Sequence, residues 1–475
     1  MKLVYRQLPC NGLLARALSL FLMLFATTHA VAQLEINTSP NVVGSGARAL
    51  GMGGAFIAIA DDATAASWNP GGLTQLERPE ISLVLSHKWV GEEFESRYHP
   101  ELDRAHHVSF EEINYASIVY PIPRTIGGRN LVISLNYQQK YDFDRDLNLR
   151  YRDITALPFG NIAAIRSRLE YRQRGSLASI SPAFGFELTQ RLSFGAVMNL
   201  WDQSLLPDNE WEVHRNIRNT ALINGRMFPG SLVRLTVEEQ FKNFRGTNYS
   251  FGAFYRATER LHFGFVYHTK LNADVDYERI ERTRIGNYGY KRRERPKQYT
   301  FPSAIGAGVA YRFPNDKLTL SLDITRREWD QFVIHDPRNR SFSRQRLSGV
   351  TGLPVSASNV KPTYTVRLGG EYVFVNERKP VQHYLPSFRA GLFYDPEPSG
   401  GRKDQWYGLD SGNGRPDDYY GVSVGAGLLI KNRVNLDAAY TYRWGSGVRN
   451  DTFGLPGTDA DVRQHMFYLS TVIYF

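Results

Sequence analysis

Between Arg433 and Trp444 every second residue is apolar or aromatic. Val434, Leu436, Ala438, Tyr440, Tyr442 and Trp444 share one face; Arg433, Asn435, Asp437, Ala439, Thr441 and Arg443 share the other. A period of two places alternate side chains on opposite faces of a strand. Tyr419–Ile430 repeats the pattern, with Tyr420, Val422, Val424, Ala426, Leu428 and Ile430 opposite a face that is mostly Gly and Ser. In Lys317–Thr325, Leu318, Leu320, Leu322 and Ile324 oppose Thr319, Ser321, Asp323 and Thr325. About 14 such runs follow one another: 80–89, 111–121, 129–143, 176–189, 191–203, 246–257, 260–271, 298–313, 317–330, 363–374, 387–396, 418–430, 433–444 and 465–475. Their links alternate in length. Pro121–Gly128, Thr189-Gln190, Thr258-Glu259, Pro314–Asp316 and Lys431-Asn432 are short, and Val375–Pro386 is intermediate. Val90–Phe110, Ser204–Arg245, Gln331–Pro362 and Gly445–Gln464 are long. An even number of alternating strands with short turns on one side and long links on the other predicts an all-β chain. Its form is a 14-stranded antiparallel transmembrane β-barrel with lipid outside and a polar lumen. A soluble sandwich also alternates, but it would have to explain outward rows of Leu, Val, Phe and Tyr around the whole chain.

The ends of the chain agree with this. Lys2, Arg6 and Arg16 precede the apolar stretch Ala17–Ala26, and Ala30-Val31-Ala32 fits a small-x-small cleavage site. The pattern predicts a signal peptide over 1–32, an N-terminal segment over 33–79 and a barrel over 80–475. The apolar stretch is short of the roughly 20 residues that a spanning helix needs. The one cysteine, Cys10, lies before that stretch, so the exported chain has no disulfide, as suits a bacterial envelope protein. Hydrophobic residues at 42% exclude a disordered chain. On the last run Phe467, Leu469, Thr471, Ile473 and Phe475 share one face. A terminal aromatic there resembles the assembly signal of outer-membrane barrels, so Phe475 and the barrel-assembly machinery form an expected pair.

Residues 34–78 do not alternate. They include Gly51, Gly53, Gly54, Asp61, Asp62, Trp68, Asn69 and Pro70 within GARALGMGGAFIAIADDATAASWNPGGL. Small residues allow close packing in a confined space. Asp62 is placed to cap a short helix over Ala63–Ser67. This stretch, followed by a barrel pattern, resembles the FadL-type outer-membrane transporter superfamily. Further matches in pattern are FPSAIGAGVAYRF, KLTLSLDITRREWDQF and FRAGLFYDPEP. The family carries an N-terminal plug that ends in Asn-Pro-Ala inside a 14-strand barrel; here the motif reads Asn69-Pro70-Gly71. The resemblance implies a bacterial outer-membrane protein that passes hydrophobic molecules passively, most often long-chain fatty acids and sometimes aromatic hydrocarbons. It also implies sideways exit at a kinked third strand. The third run, Arg129–Phe143, has no internal Gly or Pro, so the kink has no marker in the sequence. Pro182 and Pro302 lie inside the fourth and eighth runs and should mark a bulge or a strand end. The PorV-like branch, which serves protein secretion as a binding partner or shuttle, shares the same plug words and is the alternative function.

Candidate lumen residues are Asp323, Arg367, Glu371, Arg389, Asp437 and Arg443. One or more of these arginines could meet a substrate carboxylate; for any single residue, a compensating network tying barrel to plug is the favoured reading. His106-His107 are adjacent and lack a spaced partner, so no metal site is expected. Gly421-Val422-Ser423-Val424-Gly425 spells a nucleophile elbow, but the elbow needs a strand-to-helix turn and this copy lies within an alternating run. No cofactor and no enzymatic activity are expected. Lys291-Arg292-Arg293-Glu294-Arg295 falls in a long link, where anionic lipopolysaccharide suits it as a partner alongside membrane lipids, and nucleic acid does not. The expected state is a monomer.

Overall fold

The computed structural model describes residues 45–102, 105–123, 127–156, 160–206, 209–285, 287–335, 346–376, 382–400, 413–449 and 457–475. The expected signal peptide and residues 33–44 lie outside the described residues.

One antiparallel sheet contains every strand: β1 (Glu80–Ser96), β2 (Ala105–Pro121), β3 (Leu131–Asp142), β4 (Arg145–Ala156), β5 (Ile162–Glu187), β6 (Leu192–Asp202), β7 (Glu210–Ile223), β8 (Arg226–Arg256), β9 (Leu261–His268), β10 (Leu271–Ile285), β11 (Asn287–Phe301), β12 (Ala304–Arg312), β13 (Leu318–Arg327), β14 (Val333–His335), β15 (Leu347–Ser348), β16 (Thr363–Val373), β17 (Tyr384–Tyr394), β18 (Tyr420–Ile430), β19 (Val434–Val448) and β20 (Thr458–Tyr474). Fourteen of them close a ring. Its order is β1, β2, β3, β5, β6, β8, β9, β12, β13, β16, β17, β18, β19 and β20, with β20 back on β1. Each of the 14 sequence runs overlaps one ring strand, although 298–313 joins the end of β11, outside the ring, to the ring strand β12. Ring closure leaves no open edge, the condition for crossing a bilayer with strands. The alternation also holds: Leu320, Leu322 and Ile324 of β13 are exposed on the outer face, and Ser321, Asp323 and Thr325 are buried on the inner one. The amide of Phe475 donates to the carbonyl of Pro79 at 3.0 Å, which ties the chain end to the start of β1.

The other strands, β4, β7, β10, β11, β14 and β15, stand beyond the ring on the side of the long links: β4, β7 and β10 pair with the extended ends of β5 and β8, β11 pairs with β10, β14 with β11 and β15 with β14. This corrects the sequence reading in several places, among them the expected links Val90–Phe110 and Gln331–Pro362, into which β1 and β2 extend and in which β14 and β15 lie. Within two expected links, β7 with the first part of β8 and β10 with β11 form hairpin strands rather than loops, Lys291–Arg295 lies in β11, and His106-His107 lie in β2. The cause is the change of medium. Above the bilayer the outward face is polar, so the alternation continues without the apolar row that marks a lipid-facing strand. The inward face of this upper sheet is aromatic, with Trp211 stacked on Phe241 at 4.5 Å and Phe143 on Trp211 at 4.8 Å.

Two local expectations also change. Asp62 does not cap a helix. Its carboxylate accepts from the Thr64 amide at 2.8 Å, making a turn, and the helix is Ala65–Trp68. Pro182 produces no bulge: β5 and β6 keep one register on both sides of it and lose only the intervening pairs. Pro302 does mark a strand end, between β11 and β12.

Glu239 on β8 anchors the upper sheet. It is buried, accepts from Arg215 on β7 and the Tyr277 hydroxyl on β10, and lies 3.5 Å from Arg279. Burial alone would push its carboxyl up; Arg215 and Arg279 override this and hold it below the usual carboxylate range. A depressed folded value stabilises above the unfolded pKa of about 4 and is lost as pH falls through the folded value. We expect Glu239→Gln, which leaves Arg215 buried without its anion, to loosen the upper sheet by about 3–5 kcal/mol. Hydrogen exchange should quicken in β7, β8 and β10 and stay constant in the ring; unchanged exchange in those strands would contradict the anchoring role.

Candidate functional site

Ser45–Gln75 runs across the inner face of the ring, where its backbone touches the wall through inward glycines. A Cβ added at Gly195 would collide with the Pro70 carbonyl, at Gly252 with Asn69, at Gly264 with the Ile57 carbonyl, at Gly369 with the Met52 carbonyl, and at Gly391 with the Gly53 amide. Gly195 and Gly252 are register partners, as are Gly369 and Gly391. The small inward residues of the wall therefore form a belt that seats a second backbone.

The motif residues fasten this segment. Asn69 Nδ2 donates to the carbonyls of Ile57 and Ala253, both at 2.9 Å, and its Oδ1 accepts from the Gly71 amide at 3.0 Å. Pro70 then opens a 3₁₀ turn, Pro70–Gln75, where a missing N–H costs nothing. Trp68 Nε1 donates to the Ser45 carbonyl at 3.0 Å and its ring meets Phe56 edge-on. Gly53 and Gly54 have φ of 67° and 76°, a left-handed turn that other residues adopt at a cost.

The sequence-derived lumen residues fall into three groups. Glu371, Arg389 and Asp437 join Arg48 and Asp61 of the segment in one chain of ion pairs. Asp61 meets Arg48 at 2.6 Å, Arg48 meets Glu371 at 2.7 Å, and Arg389 meets Glu371 and Asp437 at 2.7 Å each. Asp323 accepts from the amides of Phe56 and Ile57 at 2.6 and 2.7 Å. Arg367 and Arg443 belong elsewhere: Arg367 lies 3.4 Å from Asp395, and Arg443 lies 2.9 Å from Glu397 and over the Tyr419 ring. All six side chains are buried and engaged. Ser423 of the elbow-like motif donates to the Gly51 carbonyl at 2.9 Å from within β18.

A cavity of about 50 Å³ that opens to solvent lies between the segment and the aromatic face above it. Ser67 forms part of its floor, and Tyr141, Trp201, Leu271 and Phe301 supply apolar walls. Its polar lining includes Lys140, His268 and Arg327. Lys140 Nζ contacts Asn199 Oδ1 at 3.1 Å and lies 5.5 Å from the Trp201 ring centre. Arg327 lies 5.9 Å from the Trp329 ring centre. Among the described residues neither cation has a carboxylate within ion-pair distance, unlike the cations of the network below. Sequence reasoning missed both, although each extends an inward row already visible: Lys140 follows Asn136 and Gln138, and Arg327 follows Asp323 and Thr325. Lys140 also sits at a register shift between β3 and β5, so the third strand is irregular without Gly or Pro. On its other side the β2–β3 ladder ends at Tyr115↔Gln138, just short of Lys140.

A closed ring, a seated inner segment and a cavity above it make up the site. The model of the family described as outer membrane protein transport protein (OMPP1/FadL/TodX) matches residues 174–464. The chain belongs to this family. It is an outer-membrane protein, with the long-link side outward. The fold is similar to a Pseudomonas aeruginosa FadL homologue at 15% identity, covering 90% of this chain and 98% of that one with a TM-score of 0.56. It is also similar to the Pseudomonas putida toluene transporter TodX at 13% identity, covering 91% and 98% with a TM-score of 0.52. A third similar structure is the CymD monoaromatic hydrocarbon channel, at 16% identity, 92% and 98% coverage and a TM-score of 0.50. No curated protein matches the sequence.

The seating of the segment in this transport protein is testable. Asn69→Ala would remove two hydrogen bonds, leaving the Ile57 carbonyl without its side-chain donor at a cost of about 1–3 kcal/mol and cutting the tie to the Ala253 carbonyl of β8. Gly252→Val would drive a side chain into Asn69. Both variants should keep the heat-modifiable gel mobility of a closed barrel while proteolysis within 45–78 accelerates at least ten-fold. Unchanged protease resistance would contradict the seating.

Proposed function

We propose that this protein carries hydrophobic molecules bearing an anionic head group, long-chain fatty acids first among them, across the outer membrane. The single observation behind this reading is the pair Lys140 and Arg327 in an aromatic-walled cavity with no carboxylate beside them. Holding two half-buried cations side by side without an anion is costly, and a ligand carboxylate would reduce that cost through charge-assisted hydrogen bonds. An acyl chain would gain about 0.8 kcal/mol per buried methylene along Tyr141, Trp201, Leu271 and Phe301. Toluene and other monoaromatics, named for two of the similar structures, carry no charge and would leave both cations unmatched. On this reading residues 33–79 are a plug that halts the molecule in the cavity. The ladder end between β2 and β3, beside Lys140, is the sideways way out.

The test is a binding series followed by Trp fluorescence, with fatty acids, the matching alcohols and toluene. Fatty acids should bind at least ten-fold more tightly than alcohols of equal length, and affinity should climb with chain length until the cavity is full. Lys140→Met or Arg327→Met should remove the acid's advantage, a loss of about 1.5–3 kcal/mol for a bond to a charged group, and leave the alcohols unchanged. Toluene bound more tightly than any acid, with both variants unaffected, would make the chain a neutral hydrocarbon channel instead.

A further inference from the structure

The outward face of the upper sheet carries a row of arginines that the sequence scatters over 135 residues, from 150 to 284. The registers place Arg150 opposite Arg168, Arg168 opposite Arg218, Arg218 opposite Arg234, and Arg234 opposite Arg284. Directly paired residues share a face, and adjacent strands lie about 4.8 Å apart. Five successive strands, β4, β5, β7, β8 and β10, thus set like charges side by side, an arrangement that destabilises a sheet.

The rows next to this one show that the sheet does not tolerate charge indifferently. One row nearer the ring, Glu170 is offset by Arg282; in the row below that, Asp146 and Glu238 are offset by Arg172 and Arg292. Those rows contain explicit ion pairs, Arg282 with Glu238 and Arg292 with Glu278 at 2.6 Å. Within the arginine row only Arg168 has an acidic neighbour, Glu170 at 3.0 Å. Among the described residues Arg150, Arg218, Arg234 and Arg284 have none. The Nε atoms of Arg168 and Arg218 are shielded from solvent and have no hydrogen-bond acceptor. Two exposed aromatic rings stand on the neighbouring strand β11, Tyr288 opposite Arg284 at the end of the row and Tyr290 opposite Arg282 at the end of the next, at 68% and 55% exposure.

We propose that this arginine row binds the phosphorylated saccharide of lipopolysaccharide, so that the outer leaflet's glycolipid holds the upper sheet upright. The position selects the partner. Lower on the same outward face of β8 lie Tyr249 and Phe251, exposed to the acyl layer. Moving away from the periplasmic turn along that face leads from acyl chains to the anionic sugars above them. Guanidinium forks match phosphate oxygens in pairs, and the two tyrosines offer flat faces to sugar rings. In the Lys291–Arg295 run, which stands out in the sequence, Arg292 is paired with both Glu278 and Glu294. Among the described residues the row has one acidic neighbour for its five arginines, so most of its charge is uncompensated. The inference is independent of what the lumen carries.

The experiment uses the full-length protein in detergent, titrated with rough-type lipopolysaccharide, with the same glycolipid after dephosphorylation, and with phosphatidylglycerol bicelles. Its readout is the midpoint of thermal unfolding. Intact lipopolysaccharide should raise the midpoint, and the effect should shrink with salt. Dephosphorylation, or the triple variant Arg168→Gln, Arg218→Gln, Arg234→Gln, should weaken the apparent affinity at least ten-fold. Without any lipid the triple variant should unfold at the same temperature as the parent or higher, because it removes like-charge contacts. Undiminished binding by the variant overturns the proposal. So does phosphatidylglycerol acting as strongly as lipopolysaccharide, which would make the row a general anionic-lipid contact. A variant that is less stable without lipid also overturns it, because the arginines would then be satisfied within the protein.

Discussion

A bilayer interior offers no hydrogen-bond partner to a backbone, so a sheet that crosses it must close on itself. In this chain the closure takes fourteen strands, and that number governs the rest. About eight strands make a barrel that wall side chains can fill, while sixteen to eighteen leave an aqueous channel. Fourteen fall between, so wall side chains alone do not occupy the lumen. The wall answers with its smallest residues. Where Gly252, Gly264, Gly369 and Gly391 face inward, the backbone of residues 45–75 lies directly against them. Closure, the glycine belt and the inner segment are three consequences of one constraint.

Charge inside the ring follows the same logic. Asp323 receives two segment amides, and the Arg48–Glu371–Arg389–Asp437 chain crosses from segment to wall with opposite signs alternating. Buried ions of this kind rarely add net stability, but removing one partner is severe, so they fix where the segment sits. Against that matched background, Lys140 and Arg327 in the cavity and four of the five arginines of the outward row, Arg150, Arg218, Arg234 and Arg284, have no ion-pair partner among the described residues. The first pair lines a cavity that opens to solvent, and the row faces the surroundings of the barrel.

Much of this was legible in the sequence, and the limits have physical causes. The ring strands were readable because lipid demands an apolar outward row, as in Leu320, Leu322 and Ile324. The upper strands were not, because outside the lipid that demand lapses: β7 alternates Trp211 and Val213 with His214 and Asn216, and only pairing shows it to be a strand. The segment's motif was readable as words, and Asn69 explains why: its side chain uses both donor and acceptor groups between two parts of the segment and the wall. The roles of Arg48 and Asp61, and the pairing of Arg389 with two carboxylates, depend on strands distant in the chain. The cavity cations were readable in principle, as the next members of inward rows. The arginine row was not, since each strand contributes one residue and only register aligns them.

The proposed seal is tested most directly by ion conductance in a planar bilayer, comparing the intact protein with a variant lacking residues 45–75. The account predicts almost no steady conductance for the intact protein. The shortened one should give a porin-like conductance while its heat-modifiable mobility shows that the ring has folded. An intact protein that conducts like an open porin, or a folded deletion variant that stays silent, would contradict it.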